Sequence, residues 1–207
     1  MKQQIPNILS ASRLVATLLI FVFVLIDQPV FFLVATVLFV LASITDLFDG
    51  YLARRFKVVS SIGIFLDMTA DKIFVTAILI AMVQLGLVPA WLVVIIITRE
   101  FLVMGLRSMA ASKGKVIPAG PWGKQKTFIT LLAIGGVMLA KGLSAQGLSL
   151  FPLLLAFNSH TVTFPNILLL LADIVLLIAG FWTIMSGAEY FIEALPVFKT
   201  GYDANKQ

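Results

Sequence analysis

The feature that most constrains this chain is a series of apolar stretches, each long enough to cross a lipid bilayer as an α-helix. Such a crossing needs about 20 residues, and polar and turn-forming residues separate about six stretches of this kind: 9–26, 31–53, 61–84, 88–111, 125–143 and 165–188. The chain is 60% hydrophobic and 12% charged, whereas a soluble domain is about 45–50% apolar and about 25% charged. The pattern therefore predicts an all-α, polytopic membrane bundle that forms one domain over residues 1–207.

Two segments outside these stretches have weaker patterns. Apolar residues recur at helical spacing between polar ones over residues 1–8, which predicts a short helix on the membrane surface, although Pro6 counts against it. The interval 141–164 contains several glycines and prolines, and residues 148–157 within it have the composition of a short interfacial helix.

Basic residues fall on one side of the predicted bundle. With an even number of spans, the chain ends and the intervals after the second and fourth spans share a side, and most lysines and arginines lie in these segments or in the span ends next to them. On the other side the one basic residue is Lys141, near the end of the fifth span. The positive-inside rule assigns the basic side to the cytoplasm. The net charge of +5 is thus explained by topology and headgroup contacts, and no nucleic-acid partner is predicted.

Rare residue types exclude several kinds of site. The chain contains no cysteine and a single histidine, His160. Disulfides and thiolate-bound metals are therefore excluded, and neither an imidazole-based metal site nor a histidine-dependent catalytic triad is expected.

Four aspartates lie in the second and third stretches, where an uncompensated charge costs several kcal/mol. Asp46 and Asp49 have the spacing i, i+3, and Asp67 and Asp71 have the spacing i, i+4, so each pair projects from one helical face. A short turn joins the two helices, which predicts antiparallel neighbours with converging carboxylates. Hard divalent ions with oxygen ligands, Mg²⁺ or Mn²⁺, would relieve the repulsion. Two such ions can clamp the attacking and leaving oxygens of a phosphoryl displacement.

The alternative is a structural network in which these carboxylates pair with Arg54, Arg55 and Lys72. Small residues lie among the aspartates, at Gly50, Ala53 and Gly63. They either let the helices approach closely or leave room for a bulky ligand, whose phosphate Arg54 could reach.

One set of residues in these two stretches resembles the signature of the CDP-alcohol phosphatidyltransferase family: Asp46, Asp49, Gly50, Ala53, Arg54, Gly63, Asp67 and Asp71. The resemblance implies a six-helix membrane bundle, usually homodimeric, with its site open to the cytoplasm, and we expect it in a bacterial inner membrane. It also implies a reaction. Two divalent cations hold the pyrophosphate of a CDP-linked lipid, an alcohol attacks the phosphorus that bears the lipid, and CMP leaves.

The resemblance also implies roles for individual residues. Metal binding falls to the four carboxylates: Asp46, Asp49, Asp67 and Asp71. Binding of the CDP-linked lipid falls to a second, overlapping set: Asp49, Gly50, Ala53, Arg54 and Gly63. Asp71 is in addition the implied general base, which must lie within hydrogen-bond reach of the attacking hydroxyl.

Other stretches resemble the phosphatidylglycerophosphate synthase branch of this family, which uses CDP-diacylglycerol and glycerol 3-phosphate: 5–9 with Arg13, 99–101, 105–107, 123–127 and 186–191. Charge gives an independent argument, because a dianionic acceptor needs several cations, with forked bonds from arginine and point charges from lysine. The candidates are four basic residues: Arg99, Arg107, Lys124 and Lys126. For the two lysines, the alternative is that they only set the topology.

Several alternatives stay open at this stage. An inositol phosphate acceptor would call for the same cations, and phosphatidylglycerol is a third acceptor for this chemistry. A divalent-cation transporter would use the aspartates as a transit site, but the far half of the helices has no second set of carboxylates. Asn7 and Arg13 either line the entrance to the pocket or contact headgroups. Asp173, within the last span, either has a functional role or makes an interhelical hydrogen bond.

Overall fold

The structure, a computed structural model, describes residues 5–56, 61–112, 121–145 and 163–203, with the side chains of 12–45, 69–112, 122–145 except Lys124, and 163–194. Every regular element in these residues is an α-helix. The helices are α1 (Ile5–Leu25), α2 (Pro29–Phe56), α3 (Ser61–Gln84), α4 (Ala90–Ser112), α5 (Pro121–Gly142) and α6 (Phe164–Asp203). The predicted all-α class is confirmed for the described part of the chain.

Local sequence explains where several helices begin and end. Pro29 and Pro121 are the first residues of α2 and α5, where the missing N–H is harmless and the fixed φ favours the helix. Helix α3 ends at Gln84, and Gly86 just beyond it has a φ of 67°, a backbone conformation that glycine adopts without strain. The Leu87 N–H then donates to the Met82 carbonyl at 2.9 Å, which closes the helix end.

The first five helices agree with the first five predicted spans to within a few residues. No separate surface helix precedes α1 in the described residues, because residues 5–8 form its first turns, and residues 1–4 lie outside the description. The proposed interfacial helix at 148–157 also lies outside the described residues.

The last helix is longer than predicted. Residues 165–188 were expected to form the span, but α6 continues to Asp203. Its extension packs on the end of α4 through a small apolar cluster: Val103, Leu106, Ala110, Tyr190 and Ala194. This contact gives the extra turns an apolar surface to bury, which hydropathy along the chain does not reveal.

By the main contacts of their described residues, the helices form a ring in the order α1, α2, α5, α6, α4, α3 and back to α1. Their inner faces share one core, whose fully buried members include Ile20, Phe32, Ile78, Met82, Ile96, Ile134 and Met138. Across the ring, the rings of Phe39 in α2 and Phe74 in α3 stack with their centroids 5.2 Å apart.

Small residues allow two of these contacts to be close. A Cβ at Gly136 of α5 would lie 3.0 Å from the Cβ of Ala172 in α6. A Cβ at Gly180 of α6 would overlap the Leu92 side chain of α4. The small residues therefore let α6 pack closely against α5 and α4, as is common where membrane helices pack.

The outer faces of the helices are apolar. Leu18, Val30, Phe128 and Phe164 are all exposed, as are many other large apolar side chains. Among the described residues, Phe164–Ala194 is one run that is long and apolar enough to cross a membrane, with a mean hydropathy of 2.5. Shorter apolar runs occupy Ser12–Leu25 and Pro29–Thr45.

Candidate functional site

The predicted site residues fall into two groups in the structure. Described side chains belong to Arg13, Asp71, Arg99, Arg107 and Lys126. The others lie at helical positions of α1, α2, α3 and α5 and outside the described side chains: Asn7, Asp46, Asp49, Gly50, Ala53, Arg54, Gly63, Asp67 and Lys124. The roles of this second group remain predictions.

A charged network joins three helices at Glu100 of α4. Its Oε2 accepts a hydrogen bond from Lys72 Nζ of α3 at 2.8 Å. Its Oε1 accepts one from Arg99 Nη1 at 3.1 Å and another from Lys126 Nζ of α5. One carboxylate therefore gathers three cationic side chains from α3, α4 and α5.

The network is largely shielded from solvent. Only 4% of the Lys126 side chain is exposed, and Glu100 at its centre is 20% exposed. Taking charges out of water is costly unless they are paired and hydrogen-bonded, and here three cations share one carboxylate. The excess of positive charge makes this position suited to binding an anion.

Asp71 lies beside this network. It is half-buried in α3, and its carboxylate interacts electrostatically with both Lys72 and Lys126. The structure thus brings the predicted base together with Arg99 and Lys126, two of the cations predicted to bind the acceptor.

The Arg99 side chain connects the network to α6. Its Nη2 donates to the Ser186 hydroxyl, while its Nε is buried and has no hydrogen-bond acceptor among the described residues. Glycines make room for this side chain, since a Cβ at Gly187 would lie 3.2 Å from Arg99 Cγ and one at Gly123 would lie 3.7 Å from Nη2. Arg99 therefore keeps a donor available in a confined position.

Arg107 lies nearer the end of α4 and is exposed. Its guanidinium is 5.7 Å from the centroid of the Tyr190 ring, within the range of a cation–π contact. It also interacts electrostatically with Arg99. The two arginines thus face the same region, with Arg99 inside and Arg107 towards solvent.

Two other predicted residues are buried. Arg13 is 5% exposed, so an open contact with headgroups does not describe its position. Asp173 is 2% exposed, and its Oδ2 has no hydrogen-bond partner in the described part of the chain. The interhelical hydrogen bond considered for Asp173 is therefore not made by this atom.

Sequence reasoning did not assign Lys72, Glu100 or Ser186 to the acceptor region. Lys72 was considered only as a structural partner of the aspartates; it does interact with Asp71, but its ion pair is with Glu100. An ionisable residue inside an apolar span usually has a function, which is the pattern that could have identified Lys72 and Glu100. Ser186 is not ionisable, so this pattern would not have identified it.

The predicted metal site is only partly visible. Among the described side chains, no three acidic or histidine residues come together as metal ligands, and of the four predicted aspartates they include only Asp71. The rings of Phe39 and Phe74 stack across the core, but in the described residues α1 packs between α2 and α3, so these two helices are not the direct neighbours that were predicted.

Comparison with known proteins gives consistent matches. A family model described as CDP-alcohol phosphatidyltransferase matches residues 3–162. A Bacillus subtilis protein named CDP-diacylglycerol–glycerol-3-phosphate 3-phosphatidyltransferase is 39% identical over 83% of this chain and 79% of its own length. A Rickettsia bellii protein of the same name is 34% identical over 91% of this chain and 94% of its own length.

Proposed function

The chain belongs to the CDP-alcohol phosphatidyltransferase family, and we propose that it transfers the phosphatidyl group of CDP-diacylglycerol to glycerol 3-phosphate. The products are phosphatidylglycerophosphate and CMP. The observation that carries this proposal is the position of Lys72, Arg99 and Lys126 around one carboxylate, next to Asp71. Relatives named for this reaction match most of the chain, which supports glycerol 3-phosphate as the acceptor.

The acceptor phosphate binds among the cations of α4 and α5. Arg99 donates from its buried Nε, Lys126 adds a shielded point charge, and Arg107 adds a charge towards solvent. We assign Lys124 to the same set. Arginine binds phosphate oxygens in a forked geometry, and hydrogen bonds between charged groups are stronger than neutral ones. A serine or choline acceptor would not require this group of cations.

The phosphate-binding cations orient the acceptor hydroxyl towards Asp71. Its carboxylate takes the hydroxyl proton as the hydroxyl oxygen bonds to the phosphorus that bears the diacylglycerol. The bond from that phosphorus to the bridging oxygen breaks, and CMP leaves with the electron pair. Catalysis of this kind depends mainly on positioning and on neutralising charge.

The donor side of the site uses α2 and α3. Asp46, Asp49, Asp67 and Asp71 would hold two divalent cations, Mg²⁺ or Mn²⁺, which neutralise the pyrophosphate of the CDP-lipid when bound. Carboxylates are the ligands that these hard ions prefer. The stacked rings of Phe39 and Phe74 support the arrangement, because Asp46 follows Phe39, and Asp67 precedes Phe74, by about two helical turns at the same end of the bundle.

The nucleotide and lipid of the donor bind beside these carboxylates. Their proposed contacts are with Asp49, Gly50, Ala53, Arg54 and Gly63. Asn7 and Arg13 lie on α1, which contacts both α2 and α3, and we assign them to the entrance of the pocket.

We further propose that the six helices form one polytopic membrane domain over residues 1–207. The apolar outer faces and the closed ring of helices support this, since a bundle in lipid must satisfy its polar groups internally. The site faces the cytoplasm of a bacterial inner membrane, and the protein is a homodimer.

A panel of acceptors tests the reaction. Purified protein receives CDP-diacylglycerol with glycerol 3-phosphate, inositol phosphate, phosphatidylglycerol or serine, and CMP release and the lipid product are measured. We expect product only with glycerol 3-phosphate, loss of activity with chelator, and recovery with Mg²⁺ or Mn²⁺. Product from another acceptor would reassign the substrate. Metal flux into liposomes without CMP release would contradict the whole proposal.

A further inference from the structure

We propose that Glu100 is the internal counter-ion of the acceptor-phosphate site, a positioning residue that holds Lys72, Arg99 and Lys126 together and moderates their attraction for phosphate. The inference rests on the proposed function, because it concerns the site of the acceptor phosphate. It assigns a role to a residue that touches neither the donor nor the reacting hydroxyl.

The geometry supports a counter-ion rather than a simple ion pair. Both carboxylate oxygens of Glu100 are used, Oε2 by Lys72 and Oε1 by Arg99 and Lys126. The partners come from three helices, α3, α4 and α5. A single carboxylate therefore fixes the relative positions of three long cationic side chains, each of which would otherwise lose considerable rotamer freedom when a ligand binds.

The charges of the network match those of the acceptor. Three cations against Glu100 and the adjacent Asp71 leave a net positive charge, opposite in sign to a phosphate monoester, which carries a charge of about −1.5 to −2 near neutral pH. Without Glu100 the cations would repel one another and bind the phosphate more tightly. The product also carries this phosphate, so its release would slow.

The test compares phosphate binding by the wild type with that of charge variants. In Glu100→Gln, inorganic phosphate should bind about tenfold more tightly, because one nearby negative charge is lost from a shielded site. Binding is measured from the thermal stabilisation of the purified full chain by inorganic phosphate at constant ionic strength. This measurement needs no turnover, so its outcome is separate from that of the acceptor panel.

Kinetics give a second readout. Glu100→Gln should lower both KM for glycerol 3-phosphate and kcat, and leave KM for CDP-diacylglycerol unchanged. Glu100→Asp keeps the charge, so it should restore phosphate affinity to near the wild-type value with an intermediate kcat. A purely structural role would lower stability without tightening phosphate binding.

Two further variants keep the test decisive if Glu100→Gln does not fold. The double variant Glu100→Gln/Lys72→Met removes one charge of each sign, so its phosphate affinity should stay within about twofold of wild type. Asp27→Asn removes an exposed carboxylate in the turn between α1 and α2. It should change neither the affinity for inorganic phosphate nor the kinetic constants. Unchanged or weaker phosphate binding in Glu100→Gln, or a double variant that departs from the wild type about tenfold, would overturn the proposal.

Discussion

At the scale of single residues, Asp71 is the side chain on which the proposed chemistry depends most directly. It is half-buried and interacts with Lys72 and Lys126, so a hydroxyl held by the acceptor cations would lie near its carboxylate. Asp71→Asn keeps the size of the side chain and removes its capacity to accept a proton. We expect CMP release to fall by at least about 100-fold.

The thermal stability of Asp71→Asn should remain close to that of the wild type, which separates a catalytic defect from unfolding. Asp27→Asn serves as the matched control, since Asp27 is an exposed aspartate at the opposite end of the bundle. A fully active Asp71→Asn protein would contradict the assignment of the base.

Arg107 leads to a prediction about substrate affinity. It is exposed and rests over Tyr190, at the solvent side of Arg99, where it can attract and orient the acceptor phosphate. Replacing it with alanine removes one charge-assisted interaction, so KM for glycerol 3-phosphate should rise about tenfold or more. KM for CDP-diacylglycerol should change much less.

Steady-state kinetics with each substrate varied in turn measure the two values. Arg107→Lys retains the charge but loses the forked geometry, and an intermediate KM is expected. Equal effects of Arg107→Ala on both substrates would argue that Arg107 supports the fold rather than the acceptor.

The residues of the acceptor region could be predicted only in part. Arg99, Arg107 and Lys126 are basic residues in or next to apolar spans, so their charge and the resemblance of their sequence stretches identified them, and the structure brings Arg99 and Lys126 into one network. The pairing of Lys72 with Glu100 joins α3 to α4. Spacing along one helix contains no information on such a contact, because it depends on how the helices pack.

At the scale of the helices, hydropathy located α1 to α5 well because prolines, glycines and polar residues interrupt the apolar pattern at their ends. It placed the end of α6 too early, since the additional turns are stabilised by α4 through Val103, Ala110, Tyr190 and Ala194. That contact joins residues far apart in the sequence. The order of the helices in the ring was likewise not predictable from the spans alone.

The contact between α5 and α6 gives a prediction about packing. A Cβ at Gly136 would lie 3.0 Å from the Cβ of Ala172, an atom that can move only if the helix moves. Gly136→Val should therefore push the helices apart and destabilise the protein by about 1–3 kcal/mol. The expected result is a lower Tm in detergent.

The control is Gly105→Ala in α4, where an added Cβ would meet no atom within 4 Å. Alanine favours a helix over glycine by about 0.8–1 kcal/mol, so this variant should be at least as stable as the wild type. A wild-type Tm for Gly136→Val would show that α5 and α6 do not approach as closely as described.

At the scale of the whole molecule, the distribution of charge is the basis of the proposed orientation in the membrane. Helices α1 and α2 meet at a tight turn around Asp27, whereas α4 ends at Ser112, beside a segment rich in lysine. Because successive helices alternate in direction, these two positions lie at opposite ends of the bundle. The positive-inside rule places the Ser112 end in the cytoplasm, with the proposed site opening on the same side.

The absence of cysteine from the sequence allows this orientation to be tested with single introduced thiols. Both Asp27 and Ser112 have exposed side chains, so Asp27→Cys and Ser112→Cys should fold and retain activity. A membrane-impermeant maleimide applied to intact bacterial spheroplasts should label Asp27→Cys and leave Ser112→Cys unlabelled until the membrane is opened. Labelling of Ser112→Cys alone would invert the topology, and labelling of both from outside would mean that the ring of helices does not cross the membrane as proposed.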